Sequence, residues 1–401
     1  VVWVVWLLIE SVDMASLLKT LFSIGFRPFF LSAALFVSVC LFVWVGLYGG
    51  MVDVEGPMDP LRWHAHEMIF GYLGAVLAGF TLTAVANWTG RPPVSGGWLI
   101  ALFLLWLAGR AAMALSLAGD LPVSTAALID VGFIPAFIGL FAREVIAGGN
   151  KRNLVVVAAV SVFGLANVLF CLDVLGLYEN ALWTRLGLGT LALLLALIGG
   201  RIIPVFTGNW LKAQKLDASM PIMGFIDKIS ILLVGVGTLG WTLFPEQLVT
   251  GVLWVGAGGA LLLRLRRWQG LKTGGEPLIV CLHIAYGFLA CSLIVIGLSV
   301  LFPADVPISS GLHLLSAGAI GLMTMVVMCR ALLGHTGRPI SSTPFLTTAL
   351  GLVLLGGVLR VLAPWLPAYY GVLISISGFM WGGGFFLFAC YVAPMVIRPR
   401  V

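Results

Sequence analysis

Residues 63 to 72 read WHAHEMIFGY: two histidines one residue apart, then a glutamate, then the start of a long apolar run. Imidazole and carboxylate are the side chains that bind transition metals, exchange protons near neutral pH and orient one another through hydrogen bonds. The chain has only five histidines, His64, His66, His283, His313 and His335. Neutral imidazole suits copper, zinc and iron, and it is a usual axial ligand of haem. On a regular helix, positions i and i+2 point about 200° apart. His64 and His66 therefore converge on one ion only if their helix starts irregularly; otherwise they serve two neighbouring centres. Glu67 has three chemical roles open to it: ligand, proton donor, or the acceptor that fixes a histidine tautomer. An interfacial carboxylate at a helix N-terminus, paired with Arg62, is an equal alternative.

The elements that must position these groups are membrane helices. The 401 residues are 61% hydrophobic and 9% charged, and the mean hydropathy is +1.11, well beyond the usage of soluble domains. The apolar residues come in runs of about 20, enough to cross a hydrocarbon core as a helix. Barrel strands would alternate polar and apolar residues, whereas ALFVSVCLFVWVG is apolar on every face. The fold class is all-α, a polytopic bundle of twelve spans. They are expected over residues 29–49, 66–86, 98–118, 122–146, 154–175, 182–206, 224–243, 248–263, 277–301, 312–333, 344–362 and 370–391. The 401 residues form one membrane domain: a segment over 1–28, the bundle over 29–392 and a tail over 393–401. VVWVVWLLIE lacks the flanks of a signal peptide, and Met14 is an alternative start that would make residues 1–13 an extension. All Lys and Arg except Arg62, Arg110, Arg185 and Arg360 fall on the side of the N-terminal segment and tail, so both termini are expected in the cytoplasm. The net charge of +6 then reports topology and not nucleic-acid binding. The six cysteines lie in apolar surroundings without CxxC and read as packing residues.

Ionisable groups inside a span carry a functional expectation by default. His64, His66 and His313 share the outer level, whereas His283 and His335 lie toward the inner one. His313 and His335 are 22 residues apart, about 33 Å along one helix, and cannot serve one metal. Arg110 and Asp130 lie at matched depth on adjacent spans, which predicts an ion pair; a structural clamp is the first reading, a propionate partner or proton path the second. Met323, Met325 and Met328 with Cys329 read as packing, with soft ligation of copper the weaker alternative. No HExxH, Walker loop, GxSxG or dinucleotide fingerprint is present, so hydrolase and nucleotide-driven chemistry has no support.

An offset of 247 residues pairs His66 with His313, Gly71 with Gly318 and Gly74 with Gly321, and repeats Thr-Gly-Arg-Pro from residue 89 at residue 336. Span six ends in Thr207-Gly208-Asn209, and spans two, six and ten are equally spaced in the count. This suggests three units of four helices about a pseudo-threefold axis. The repeated tetrapeptide reads first as a helix stop, and second as an anion or propionate site at Arg91 and Arg338.

The stretches GFRPFF (25–30), WHAHEMIFGY, NWTGR (87–91), GGRIIPVFTGN (199–209) and LLGHTGR (332–338) together resemble the NnrS family over nearly the whole chain. Ala86 departs from the proline expected before NWTG. The resemblance implies a twelve-helix protein of the bacterial inner membrane that contains haem b and copper and is linked to nitric oxide, denitrification and nitrosative stress. Carried over by motif, His64, His66 and Glu67 belong to WHAHEM, His313 to the opening of span ten, His335 to GHTGR and His283 to span nine. The expected metal and haem ligands are then His64, His66, His283, His313 and His335, with Arg91, Arg110 and Arg338 toward the cofactor and Glu67 the catalytic carboxylate. The layout is also similar to haem-copper oxidases, by analogy of architecture alone, since spans six and seven carry no histidine. The leading expectation is an oxidoreductase that reduces nitric oxide with electrons from quinol or a redox protein. A non-catalytic nitric oxide sensor or protective protein is the alternative, and a permease is disfavoured because the histidines cluster at span ends.

Overall fold

The computed structural model describes residues 14–177, 181–221 and 223–400; the expectation about residues 1–13 lies outside them. Among the described residues there are only helices, turns and loops. Twelve helices are long and apolar enough to span a bilayer: Phe26–Tyr48, Pro60–Thr89, Gly97–Ala118, Val123–Ala147, Lys151–Val174, Leu182–Ala213, Phe225–Leu243, Leu248–Arg266, Pro277–Leu301, Ile308–His335, Pro344–Trp365 and Pro367–Val396. They are spans one to twelve below. Proline opens several of them where its missing N–H costs nothing, with Asp59, Glu276 and Thr343 as N-caps that accept a backbone N–H. The repeated Thr-Gly-Arg-Pro does stop its helices: Gly90 and Gly337 sit at φ 69° and 81°, a conformation glycine adopts without a Cβ penalty.

The described residues pack as two compact units. The first contains spans one to five with residues Val327–Ile340 and Phe385–Val401; the second contains Ala181–Val326 and Ser341–Gly384. In the second unit, spans eight and nine meet through glycine: a Cβ on Gly258 would lie 2.5 Å from the Ala290 carbonyl, and one on Gly297 2.6 Å from the Gly251 carbonyl. Small residues at such crossings replace the hydrophobic driving force that lipid removes.

The 247-residue register extends beyond the motif. The helices of spans three and eleven begin at Gly97 and Pro344, and those of spans four and twelve at Val123 and Tyr370, each pair at the same offset and without an insertion. Spans two and ten also share an irregularity. Each passes from α into a short π-helical segment directly after its histidine, Glu67–Tyr72 after His66 and Leu314–Ile320 after His313. A π segment frees a carbonyl from the α ladder. In the first unit the Trp106 indole donates to the Gly71 carbonyl at 2.8 Å; in the second, the Trp381 indole donates to the Ala317 carbonyl at 2.9 Å. Span six has no counterpart, running as α-helix from Leu182 to Ala213.

Candidate functional site: a buried ion cluster at the head of span two

Span two begins as regular α-helix over Pro60–His66, so its two histidines part company. His64 stacks flat on Trp44 of span one, ring centroids 4.4 Å apart. His66 turns inward and is fully buried, packed on Phe170 at 4.1 Å. Its Nδ1 lies 3.0 Å from Glu67 Oε1 and its Nε2 3.0 Å from Asp130 Oδ2.

Arg110 closes the cluster from span three. Its Nη1 donates to Glu67 and its Nη2 to Asp130, with the guanidinium over the Phe36 ring at 5.7 Å. The ion pair expected from matched depth is present, and it is shared with a second carboxylate. Asp130 is available because span four breaks at Val131 and Gly132, directly after it. From span five, Asn167 Nδ2 donates to Asp130 Oδ2 at 3.0 Å, while Asn167 Oδ1 is buried without a hydrogen-bond partner. Glycine makes the room: a Cβ on Gly71 would sit 2.5 Å from Arg110 Nη1. Glu67 is therefore not paired with Arg62, the partner adjacency suggested; Arg62 bonds Asp173 at the end of span five. Asn167 was missed in the sequence, although a lone amide in an apolar span is a signal of its own.

The remaining candidates lie elsewhere. In the first unit, Arg91 donates to Glu144 at 2.7 Å, and Arg143 binds the same carboxylate. His335 stacks on Phe26 at 5.5 Å, and Arg338 keeps a buried Nη1 without a partner. In the second unit, His313 Nδ1 donates to the Ser309 carbonyl at 2.7 Å. His283 Nε2 lies 2.9 Å from Thr207 Oγ1, near a fully buried Arg264 that donates to Asp227, the Ala196 carbonyl and the Tyr286 hydroxyl. The motif GGRIIPVFTGN thus has a packing role, since Gly199 lies against Tyr286 and Gly200 against Arg264.

Whether these residues suit haem or copper turns on which ring nitrogens are available. Both nitrogens of His66 face carboxylate oxygens, so in this arrangement His66 offers neither to a metal. His313 is the reverse case. An Nδ1–H held by a carbonyl fixes the tautomer that presents the Nε2 lone pair, the usual state of a ligating imidazole. Among the described residues, no three His, Cys, Asp or Glu side chains come together as a ready metal site.

Twelve apolar helices with a buried ion cluster define a polytopic helical membrane protein. A family model described as NnrS protein matches residues 20–400, and the chain belongs to the NnrS family. That membership is consistent with a membrane protein linked to nitric oxide. No individually curated protein matches the chain.

Proposed function

We propose that this protein is a haem- and copper-containing oxidoreductase of the bacterial inner membrane that reduces nitric oxide, with electrons from quinol or a redox protein. The reading rests on NnrS membership, and one observation in the chain carries it: His313 sits in a membrane span at the head of a π segment with its Nδ1–H already engaged. π segments recur at functional sites. His313 is the residue best prepared to hold the metal group through Nε2. His283 and His335 are the reserve ligands, and the unpartnered Nη1 of Arg338 suits an anionic propionate. Haem iron, when bound, supplies the centre that takes the diatomic. Reduction of two nitric oxide molecules to nitrous oxide and water consumes two electrons and two protons, so protons must reach the site through protein groups.

The test is haem and copper content, by absorption spectrum and metal analysis, for the wild type and His313→Ala, followed by anaerobic nitric oxide consumption by the reduced wild type. Loss of haem in the variant and catalytic consumption by the wild type are expected. Stoichiometric binding without turnover makes the protein a nitric oxide binder in place of a reductase. Wild-type protein that carries neither haem nor copper overturns the proposal.

A further inference from the structure

At one end of the first unit, two arginines converge on a single carboxylate. Arg91 follows the glycine stop of span two, and Arg143 and Glu144 lie near the end of span four. Arg91 Nε donates to Glu144 Oε2 at 2.7 Å, while Arg143 Nε donates to Oε1 at 2.9 Å with its Nη2 2.7 Å from the same oxygen. The two chain ends are fixed to each other. A Cβ on Gly148 would lie 2.5 Å from Thr89 Cβ, and Asn150 Nδ2 donates to the Trp88 carbonyl at 2.6 Å. One guanidinium suffices to neutralise a carboxylate and to satisfy both of its oxygens as a fork. Here there are two, so one positive charge is left over. Glu144 is 5% exposed beneath them, whereas Arg91 and Arg143 are 41% and 47% exposed. Among the described residues, neither Nη of Arg91 nor the Nη1 of Arg143 has a hydrogen-bond partner.

Trp98, the second residue of the span three helix, adds an apolar side to the group. It is 64% exposed, and the Arg143 guanidinium lies over its ring at 5.7 Å. An amphipathic ring at the end of a span marks the level of the lipid headgroups, and the free edges of Arg91 and Arg143 sit at that same end. The surface changes character one turn further into the bilayer. Ala101 follows Trp98 on span three and Gly139 precedes Arg143 on span four, both exposed, and a Cβ on Gly139 would meet nothing within 4 Å. Cations with unused donors therefore stand above a shallow apolar surface. That order, charge at the headgroup level and apolar surface below, is the order of an anionic amphiphile, with its head toward the arginines and its chain along the helices. Guanidinium forks match the spacing of phosphate oxygens, and basic groups at the headgroup level draw lipids of net negative charge.

We propose that Arg91, Arg143 and Trp98 form a binding site for the phosphate of an anionic phospholipid, with an acyl chain lying along Ala101 and Gly139. The free edge of Arg91 takes the phosphate oxygens, Arg143 supplies the second charge, and Glu144 holds the two guanidiniums in place from below. The site is independent of the function proposed above. The experiment takes the full chain, delipidated in detergent, and follows the heat-unfolding midpoint on adding phosphatidylglycerol, phosphatidylcholine or inorganic phosphate. Wild type, Arg91→Gln, Arg143→Gln and Lys272→Gln, an exposed lysine of the second unit, are compared. Native mass spectrometry of the same samples counts bound lipid directly, so a variant of lowered stability still reports. Without lipid the arginine variants are expected to unfold close to the wild type, since each leaves the other arginine on Glu144. Phosphatidylglycerol should raise the wild-type midpoint, and phosphatidylcholine and inorganic phosphate at equal concentration should not. The concentration of phosphatidylglycerol needed for half the effect should rise about tenfold in either arginine variant, the loss of one charge-assisted hydrogen bond, and stay unchanged in Lys272→Gln. An equal response to phosphatidylcholine or to inorganic phosphate overturns the proposal, as does a response to phosphatidylglycerol that survives in both arginine variants. Loss of haem from Arg91→Gln with an unchanged lipid response overturns it in favour of a propionate contact.

Discussion

Replacing Arg110 with glutamine removes the one arginine that faces both Glu67 and Asp130, whose side chains are 1% and 3% exposed. Breaking a buried pair by deleting one partner costs about 3–5 kcal/mol, because the charge left behind has no compensation. A second route reaches the same size. The variant can escape by protonating a carboxylate, and neutralising an ordinary carboxyl at pH 7, about three units above its usual range, costs about 4 kcal/mol at 1.36 kcal/mol per unit. The cheaper route wins, so Arg110→Gln is expected to lose about 3–4 kcal/mol at neutral pH. The escape also fixes the sign of the pH dependence. The folded variant binds one proton more than the folded wild type does, so its deficit relative to the wild type grows as pH rises, by about 1.4 kcal/mol per unit, and shrinks as pH is lowered toward the ordinary carboxyl range. The assay is the midpoint of heat or detergent unfolding for wild type and variant, followed from neutral to mildly acid pH. A loss below about 1 kcal/mol, of the size of a surface pair, or a deficit that does not shrink on acidification, refutes the buried-cluster reasoning.

Deleting Met68 should convert Glu67–Tyr72 to regular α-helix and rotate His66 by about 100° relative to span two below it. If so, the deletion and Arg110→Gln break the same cluster, and their combined loss in unfolding midpoint falls short of the sum. Gly258→Leu must push span eight off the Ala290 carbonyl and is expected to cost about 3 kcal/mol, at the upper end for overpacking. Gly256→Leu, with nothing within 4 Å of the added Cβ, should be tolerated in the same thermal assay. Arg91→Gln is expected to cost under about 1 kcal/mol, since Arg91 is 41% exposed and Arg143 still binds Glu144; a larger loss would mean that Arg91 holds something besides that carboxylate.

The twelve spans were legible because each is a run of apolar residues bounded by Gly, Pro or charge, and hydropathy alone fixes their number. The Arg110–Asp130 pair was legible for a related reason: two opposite charges at one depth in lipid have few other partners. The same logic left Glu67 between a pairing with Arg62 and a contact to a histidine, and the structure shows the second. What it lacked was the π segment, which inserts a residue into the turn without altering composition and so leaves no trace in hydropathy. Residues before and after such an insertion face directions that a regular 3.6-residue period does not give, and the side of span two that Glu67 occupies could not be read from spacing. His64 and His66 show the opposite case. The stretch before the insertion is regular, and their two-residue separation sends them to Trp44 and to Asp130 as the period requires. The division into two units was not legible, because spans ten and twelve each belong to both, and nothing in an apolar run marks where its neighbours change.

The two histidine positions are best understood through what their copies kept and lost. Both retain the histidine, the π segment after it and the glycines at 71 and 318 and at 74 and 321; each also has a tryptophan on a carbonyl of its π segment, from positions that do not correspond, Trp106 and Trp381. These are features of backbone geometry, and they set how the helix turns at that point. Only one copy retains charges. There the imidazole is held between two carboxylates as part of an electrostatic group; in the other, its Nδ1–H bonds a carbonyl of its own helix, which leaves the lone pair on Nε2. One residue type on one scaffold thus meets two surroundings, one with Glu67, Arg110 and Asp130 and the other with Leu314, Gly357 and Ser377 at the same register.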